Sequence, residues 1–141
     1  MVRSQPQAVY HAWGQPLLVE NLTSSKTVKL LLEEQGIRPN KGLGQNFLID
    51  KRALGRILEA ADLSPTDTIL EIGPGIGTLT RELAQNAKRV IAVEKDRAMI
   101  EILRETTRDL KNIQFIHGDI LGIVLNLVKH KPASYKVVAN L

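Results

Sequence analysis

The chain has 141 residues, a length suited to one domain, and its 43% hydrophobic and 24% charged residues are ordinary for a globular protein. The absence of cysteine excludes disulfides, thiolate metal sites and cysteine nucleophiles, and no apolar run approaches the roughly 18 residues of a membrane span. The net charge is +4, and the positive excess falls within residues 1–56. Such an excess attracts phosphate groups, although an ordinary solvated surface would carry the same charge.

Residues 1–22 differ in composition from the rest of the chain. They contain Pro6, Gly14 and Pro16 and lack the basic-then-apolar order of a secretory signal. We therefore expect a poorly ordered N-terminal extension, with a targeting segment as the alternative interpretation.

Two amphipathic helices are predicted next. Thr23, Ser24 and Ser25 offer caps for the first helix, which Gly36 ends. Asp50 caps the second. The apolar residues of the second helix recur every three or four positions and form one face. A glycine-rich polar segment, KGLGQNFLI at 41–49, separates the two helices.

Four short apolar runs, at 68–72, 89–93, 113–116 and 135–139, then predict buried strands. A helix that runs to Asn86 follows the first strand, and a helix capped by Asp96 follows the second. This alternation implies right-handed βαβ units, a parallel sheet and the α/β fold class. The sequence stops on the fourth strand with no helix to cover it, so we expect a parallel-sheet core truncated after the fourth strand and an incomplete copy of a longer protein.

Each predicted strand is followed by polar or glycine-rich residues. Ligands of parallel sheets bind beyond the carboxyl ends of the strands. The elements expected at that edge are the glycine loop 73–77 with Gly73, Gly75 and Gly77, then Glu94, Asp119 and Asn140. Their convergence predicts a binding site.

The spacing of the glycine loop favours S-adenosylmethionine over a dinucleotide. The loop reads G-x-G-x-G, whereas dinucleotide sites read G-x-G-x-x-G. Glu71, two residues before Gly73, suits a cationic ligand better than a pyrophosphate, and S-adenosylmethionine carries a sulfonium and an amino group. Glu94 stands about 20 residues downstream, where an acid binds ribose hydroxyls. Asp119 suits the adenine amino group, although Gly118-Asp119 is also a common helix-capping turn.

Five strings occur in order, at 41–50 (KGLGQNFLID), 71–80 (EIGPGIGTLT), 92–96 (AVEKD), 118–120 (GDI) and 138–141 (VANL). With these the chain resembles the ribosomal RNA small-subunit adenine N6-dimethyltransferase family over about residues 23–141. The resemblance implies a Rossmann-like S-adenosylmethionine-dependent methyltransferase fold, of which 23–141 is the N-terminal part. It also implies that the family's C-terminal helical domain is absent.

The resemblance assigns roles to individual residues. Asn46 and Leu48, with Gln45 nearby, would lie against the methionyl end of the cofactor, and Gly73 would contribute backbone there. Glu94 would bind the ribose and Asp119 the cofactor adenine. Asn140 would contact the cofactor and act as the catalytic residue, at the start of a family motif whose next two residues, proline and an aromatic, the chain lacks.

The implied activity is methyl transfer from S-adenosylmethionine to the exocyclic amino group of adjacent adenines near the 3′ end of small-subunit ribosomal RNA, in ribosome biogenesis. The implied partner is ribosomal RNA in a small-subunit precursor. We expect no metal, no membrane partner, a cytoplasmic location and a monomer at full length. The alternatives are a large-subunit ribosomal RNA adenine methyltransferase of the antibiotic-resistance type, a non-catalytic RNA-binding remnant and, less favoured by the glycine spacing, an NAD-binding oxidoreductase.

Overall fold

The computed structural model describes residues 9–10, 16–17, 21–38, 47–129 and 134–141. Its elements are β1 (Val9–Tyr10), β2 (Pro16–Leu17), α1 (Ser25–Glu34), α2 (Lys51–Ala61), β3 (Thr68–Ile72), α3 (Thr78–Asn86), β4 (Arg89–Glu94), α4 (Arg97–Thr106), β5 (Ile113–His117), α5 (Ile120–Lys129) and β6 (Lys136–Ala139). Among these residues no helix has both the length and the apolar character needed to cross a membrane.

Within the predicted N-terminal extension, β1 and β2 form a short antiparallel pair. Its other residues up to 20 lie outside the described ranges, so the expected lack of order stays a prediction. Leu22, at the end of this segment, is buried against α1.

The helices begin where the sequence predicted, because short polar side chains satisfy the free N–H groups of the first turn. The side chains of Ser24, Asp50 and Asp96 each accept a backbone hydrogen bond at the start of α1, α2 and α4. Gly36, with φ 64°, follows the end of α1. The helix α5 was not predicted from the sequence.

The main sheet has four parallel strands in the order β5-β4-β3-β6, which confirms the predicted α/β class and parallel sheet. The central strands β3 and β4 are the most buried, as their near-continuous apolar runs predict. Because all four strands are parallel, their carboxyl ends meet at one edge.

Alternation along the strands separates two faces of the sheet. The first face carries Ile69, Glu71, Val90, Ala92 and Val138 and packs against α2, α3 and α4. The second face carries Leu70, Ile91, Val93 and Val137, of which the first three pack against α5. A separate cluster joins α1 to Ile76 in the glycine loop and to Met99 and Ile102 of α4. The glycine loop at the carboxyl edge of the sheet therefore packs, through Ile76, against both α1 and α4.

Candidate cofactor-binding site

The glycine loop follows β3 and needs glycine for two reasons. Gly73, Gly75 and Gly77 have φ values of 66°, 57° and 92°, which lie in the left-handed region that side chains disfavour. A Cβ at Gly77 would also lie 2.8 Å from Thr106 Oγ1 and 3.0 Å from Leu103 Cδ1. The loop therefore packs its backbone directly on α4 and leads into α3 with Gly77 as the N-cap.

Hydrogen bonds hold this loop in place. The Gly73 N–H donates to the Val93 carbonyl at 3.0 Å, and Thr106 Oγ1 donates to the Ile76 carbonyl at 2.7 Å. Thr106 is fully buried, so its hydroxyl is shielded from water and the contact persists. The loop is thus a rigid element with its backbone open towards the carboxyl edge of the sheet.

Glu94, the last residue of β4, ties the glycine loop to its neighbouring strand. Its side chain is buried, and Oε2 accepts a hydrogen bond from the Gly75 N–H at 3.1 Å while Oε1 accepts one from the Asp96 N–H at 2.8 Å. Each carboxylate oxygen has more than one acceptor direction, so these bonds leave capacity for a further donor. The sequence predicted a ribose acceptor here, and the structure shows that the same side chain also shapes the loop.

Asp119 follows β5 at the same edge. Its Oδ1 accepts from the Leu121 N–H at 3.0 Å and its Oδ2 lies 2.9 Å from Lys95 Nζ. The hydrogen bond with Lys95, and then that with the Leu121 N–H, hold the pKa of this exposed carboxyl below its usual value. The structure thus shows the helix-capping role, while the adenine contact stays a prediction.

Asn140 follows β6, which pairs with β3, and so stands beside the glycine loop. Together with Leu48, Gly73 and Phe47 it lines a cavity of about 20 Å³. That volume suits one water molecule, so a nucleoside would occupy the open edge above the cavity. Asn46 and Gln45 lie outside the described residues, and their predicted contacts are untested.

The floor of this cavity includes Glu71, which the sequence placed near a cation but not among the binding residues. The side chain is 1% exposed, and Oε2 has no hydrogen-bond partner in the described part of the chain. Burial raises the pKa of Glu71 to about 8, the nearby Thr80 hydroxyl opposes the shift, and the charge of Glu94 adds to it. Its position on the first face, in alternation with Ile69, was the available signal for this burial.

A larger cleft of about 510 Å³ lies between α2 and α3, and Lys51, Leu58 and Arg81 are among its lining residues. The Arg81 guanidinium already forms two hydrogen bonds with Asp109, at 2.6 and 2.9 Å. The cleft includes none of the residues predicted for the cofactor. The carboxyl edge therefore stays the candidate site.

The predicted site residues that the structure describes follow the strand order along this edge. Asp119 stands at the end of β5, Glu94 at β4, Gly73 at β3 and Asn140 at β6. Leu48 joins Gly73 and Asn140 from the segment before α2. The sequence missed Lys95, Thr106 and the ring of Phe47, whose contacts depend on the fold. In the described ranges no three histidine or carboxylate side chains gather as a metal site would require.

Comparison with known proteins identifies the family to which the chain is similar. Residues 36–141 match the family described as ribosomal RNA adenine dimethylase. The protein named ribosomal RNA small subunit methyltransferase A in Dehalococcoides mccartyi is 45% identical over 127 residues, which cover 89% of this chain and 44% of that protein. Its namesake in Clostridioides difficile is 42% identical, with 87% and 44% covered. The chain therefore spans less than half the length of these curated relatives.

Solved structures agree on the fold. The 23S rRNA methyltransferase ErmE is 33% identical with a TM-score of 0.52, over 65% of this chain and 45% of that chain. An RNA methyltransferase from Salinibacter ruber, solved with S-adenosylhomocysteine, is 19% identical with a TM-score of 0.50, over 64% and 74%. At that identity, the second likeness concerns the fold alone.

Proposed function

The chain belongs to the ribosomal RNA adenine dimethylase family of S-adenosylmethionine-dependent methyltransferases, and on that premise we propose that it takes part in methyl transfer to adenine amino groups of small-subunit ribosomal RNA. The observation that carries the proposal is the meeting of the glycine loop, Glu94 and Asn140 at one edge of the sheet. The target within that RNA is a pair of adjacent adenines near the 3′ end.

The small subunit is favoured over the large one by the degree of similarity. The curated small-subunit enzymes are 41–45% identical to this chain, whereas the 23S rRNA enzyme ErmE is 33% identical. The large-subunit activity is therefore an outcome that the experiment must exclude.

The described residues fit S-adenosylmethionine on chemical grounds. Gly73 and Gly75 present backbone without side chains, and Glu94 offers carboxylate oxygens at the position of a ribose acceptor. Among the described residues that line the cavity there is Glu71 but no lysine or arginine. Among these residues a pyrophosphate would find no cationic partner, whereas a sulfonium and an ammonium group would find carboxyl groups.

Asn140 has the chemistry that an adenine amino group requires. The lone pair of that nitrogen is delocalised into the ring, which makes it a poor nucleophile. The Asn140 side-chain oxygen would accept a hydrogen bond from the amino N–H and so return electron density to the nitrogen. The bound cofactor supplies an electrophilic methyl group. Positioning and electrostatics, without a strong general base, are then sufficient for the protein's part.

The proposal extends to the partner and setting. Small-subunit ribosomal RNA, within a precursor particle in the cytoplasm, would be bound by a protein that is monomeric at full length. Residues 23–141 would be the N-terminal part of its methyltransferase domain, preceded by the extension 1–22. The exposed side chains of Lys51, Arg52 and Arg56 on α2 support a phosphate-binding surface.

Asn140→Ala, made in the full-length protein of which residues 23–141 would be the N-terminal part, tests the proposal most directly. Incorporation of a labelled methyl group would be measured on small-subunit and large-subunit ribosomal RNA, with S-adenosylmethionine affinity measured by calorimetry. We expect transfer to the small-subunit RNA to fall at least about 100-fold in the variant, because one transition-state hydrogen bond is lost. Cofactor affinity should change by less than about twofold, since the main ribose and loop contacts remain.

The matched control is Asn86→Ala, at the exposed end of α3, which should leave transfer unchanged. Turnover retained in Asn140→Ala would remove the catalytic assignment. If only the large-subunit RNA were methylated, the protein would be a large-subunit ribosomal RNA methyltransferase, and the small-subunit substrate would be rejected.

A further inference from the structure

Glu71 is a carboxyl group in an unusual place. It lies on the first face of the sheet, where its neighbours in register are the apolar Ala92 of β4 and Val138 of β6. Its side chain is 1% exposed, and Oε2 has no hydrogen-bond partner among the described residues. A buried carboxyl group in such surroundings is expected to serve a purpose, because leaving it unpaired is costly.

Among the residues that the structure describes, the groups that face Glu71 include no cation. From β4 and β6 the neighbours in register are apolar, from α3 the Thr80 hydroxyl approaches, and the charge that acts on it belongs to Glu94. Both the burial and the negative charge of Glu94 disfavour a second negative charge, so the pKa of Glu71 rises to about 8. In the free protein at neutral pH the carboxyl therefore holds its proton.

Glu71 also reaches the cavity that Gly73 and Asn140 line, next to the place where the reacting groups would meet. A cation bound at that edge would supply a positive charge that none of the described neighbours of Glu71 provides. The methyl donor carries a sulfonium cation, whereas its product after methyl transfer is an uncharged thioether. The amino and carboxylate groups are the same in both.

We propose that Glu71 is a charge-sensing specificity residue that is protonated in the free protein, ionises when the sulfonium cation is bound and regains a proton once the neutral product is formed. The site thereby prefers the methyl donor over its product. The inference rests on the proposed S-adenosylmethionine site but not on the RNA substrate. The proton leaves to solvent on binding of the donor and returns before or as the product departs, so charge balances over the cycle.

The test compares the affinities for S-adenosylmethionine and S-adenosylhomocysteine between pH 6 and pH 8, by calorimetry of the whole chain in buffers of different ionisation enthalpy. The ratio of the two affinities cancels the titration of the shared amino group. In the wild type, preference for the donor should rise about tenfold or more over this range, with close to one proton released per donor bound at pH 7. Binding of S-adenosylhomocysteine should release distinctly less.

Glu71→Gln should flatten the pH dependence of this ratio and abolish the extra proton release. Glu59→Gln, which removes an exposed carboxylate of α2, is the matched control and should behave as the wild type. A ratio that is independent of pH in the wild type, or equal proton release for both ligands, would overturn the proposal.

A measurement on the wild type avoids any folding defect of the variant. Carboxyl ¹³C NMR should show Glu71 protonated at pH 6.5 in the free protein and ionised when S-adenosylmethionine saturates the site. An ionised Glu71 in the free protein, or one that keeps its proton in the complex, would overturn the proposal. If S-adenosylmethionine binds without releasing a proton from Glu71, only this inference is rejected. If proton release persists but the RNA is not methylated, only the proposed substrate is rejected. If neither S-adenosylmethionine nor S-adenosylhomocysteine binds, both proposals are rejected.

Discussion

The two faces of the main sheet are built from the same four strands but are closed to different extents. On the first face Ile69, Val90 and Ala92 are fully buried beneath α2, α3 and α4. On the second face Leu70 and Ile91 are covered, yet Val137 of β6 is 56% exposed.

The helices that cover the two faces differ in the same way. α3 and α4 bury apolar residues against the first face, whereas α5 on the second face leaves Leu121 and Leu125 exposed. The contrast shows which face fixes the shape of the candidate site and which face is less tightly packed. The tightly packed first face holds the glycine loop in one conformation and contains the buried Glu71. We expect the less tightly packed second face to tolerate substitutions better.

The largest expected effect concerns Glu71, which β3 places among the buried residues of the first face. The pKa of Glu71, raised from 4.5 to about 8 by burial, means that the folded protein keeps a proton which the unfolded chain loses. This contribution to stability is fully present below the unfolded pKa and is lost as pH rises towards 8. Each pH unit across that window removes on the order of 1 kcal/mol of stability.

Urea unfolding at several pH values would measure this. The free energy of unfolding of the wild type should fall more steeply between about pH 5 and pH 8 than that of Glu71→Gln. If the free energy of unfolding had the same pH dependence in the wild type and in Glu71→Gln, the Glu71 carboxyl would not be neutral in the folded protein. Glu59→Gln should retain the wild-type slope.

A pair of glycine substitutions sharpens the comparison of the faces. Gly77→Ala places a Cβ 2.8 Å from Thr106 Oγ1 at φ 92°, so we expect a loss of about 2–4 kcal/mol. Gly122→Ala in α5 meets nothing within 4 Å and should stabilise the helix by about 0.5–1 kcal/mol. Thermal unfolding of both variants checks the pair, and equal effects would contradict the stated difference in packing.

Glu94→Ala tests the loop contact at the tip of β4. The substitution leaves the Gly75 and Asp96 N–H groups without their carboxylate and removes the predicted ribose acceptor. In the full-length protein we expect S-adenosylmethionine to bind more weakly by about 1–3 kcal/mol, as measured by calorimetry. Glu101→Ala on the exposed side of α4 is the control. Unchanged affinity would rule out the ribose role.

The smallest effect is expected on the outer side of α5. Leu125 is 66% exposed, so Leu125→Gln should change the free energy of unfolding by less than about 0.5 kcal/mol. Urea unfolding of this variant beside the wild type would measure the change. If the free energy of unfolding fell by more than about 1 kcal/mol, the Leu125 side chain would be packed in the fold. The proposed difference in packing between the two faces would then be wrong.

Much of the architecture was predictable because it depends on neighbours in sequence. The strand at 68–72, the helix that ends at Asn86 and the caps Asp50 and Asp96 all appear as expected. Helix α5 was not predicted, because its apolar residues follow the turn at Gly118-Asp119, which is equally consistent with the end of a strand. The region of Asn46 lies outside the described residues, so that part of the predicted site stays a prediction.

The candidate site was predictable as a set of strand-end residues but not as a set of contacts. The sequence indicated that Glu94 and Gly75 share an edge, since both follow parallel strands. It did not show that one accepts a hydrogen bond from the other, or that Lys95 engages Asp119. Such contacts join residues that are 19 and 24 positions apart in the sequence.

By itself, the sequence determined the α/β class, the glycine-loop chemistry and the family resemblance, because periodicity, caps and motifs are local properties of the chain. The tertiary structure decided which neighbours each polar group has. Glu71 reads in sequence as one more acidic residue beside a glycine loop. Its protonation state follows only from the assembled layer of Ala92, Val138 and Glu94 around it, because desolvation and charge interactions act through space.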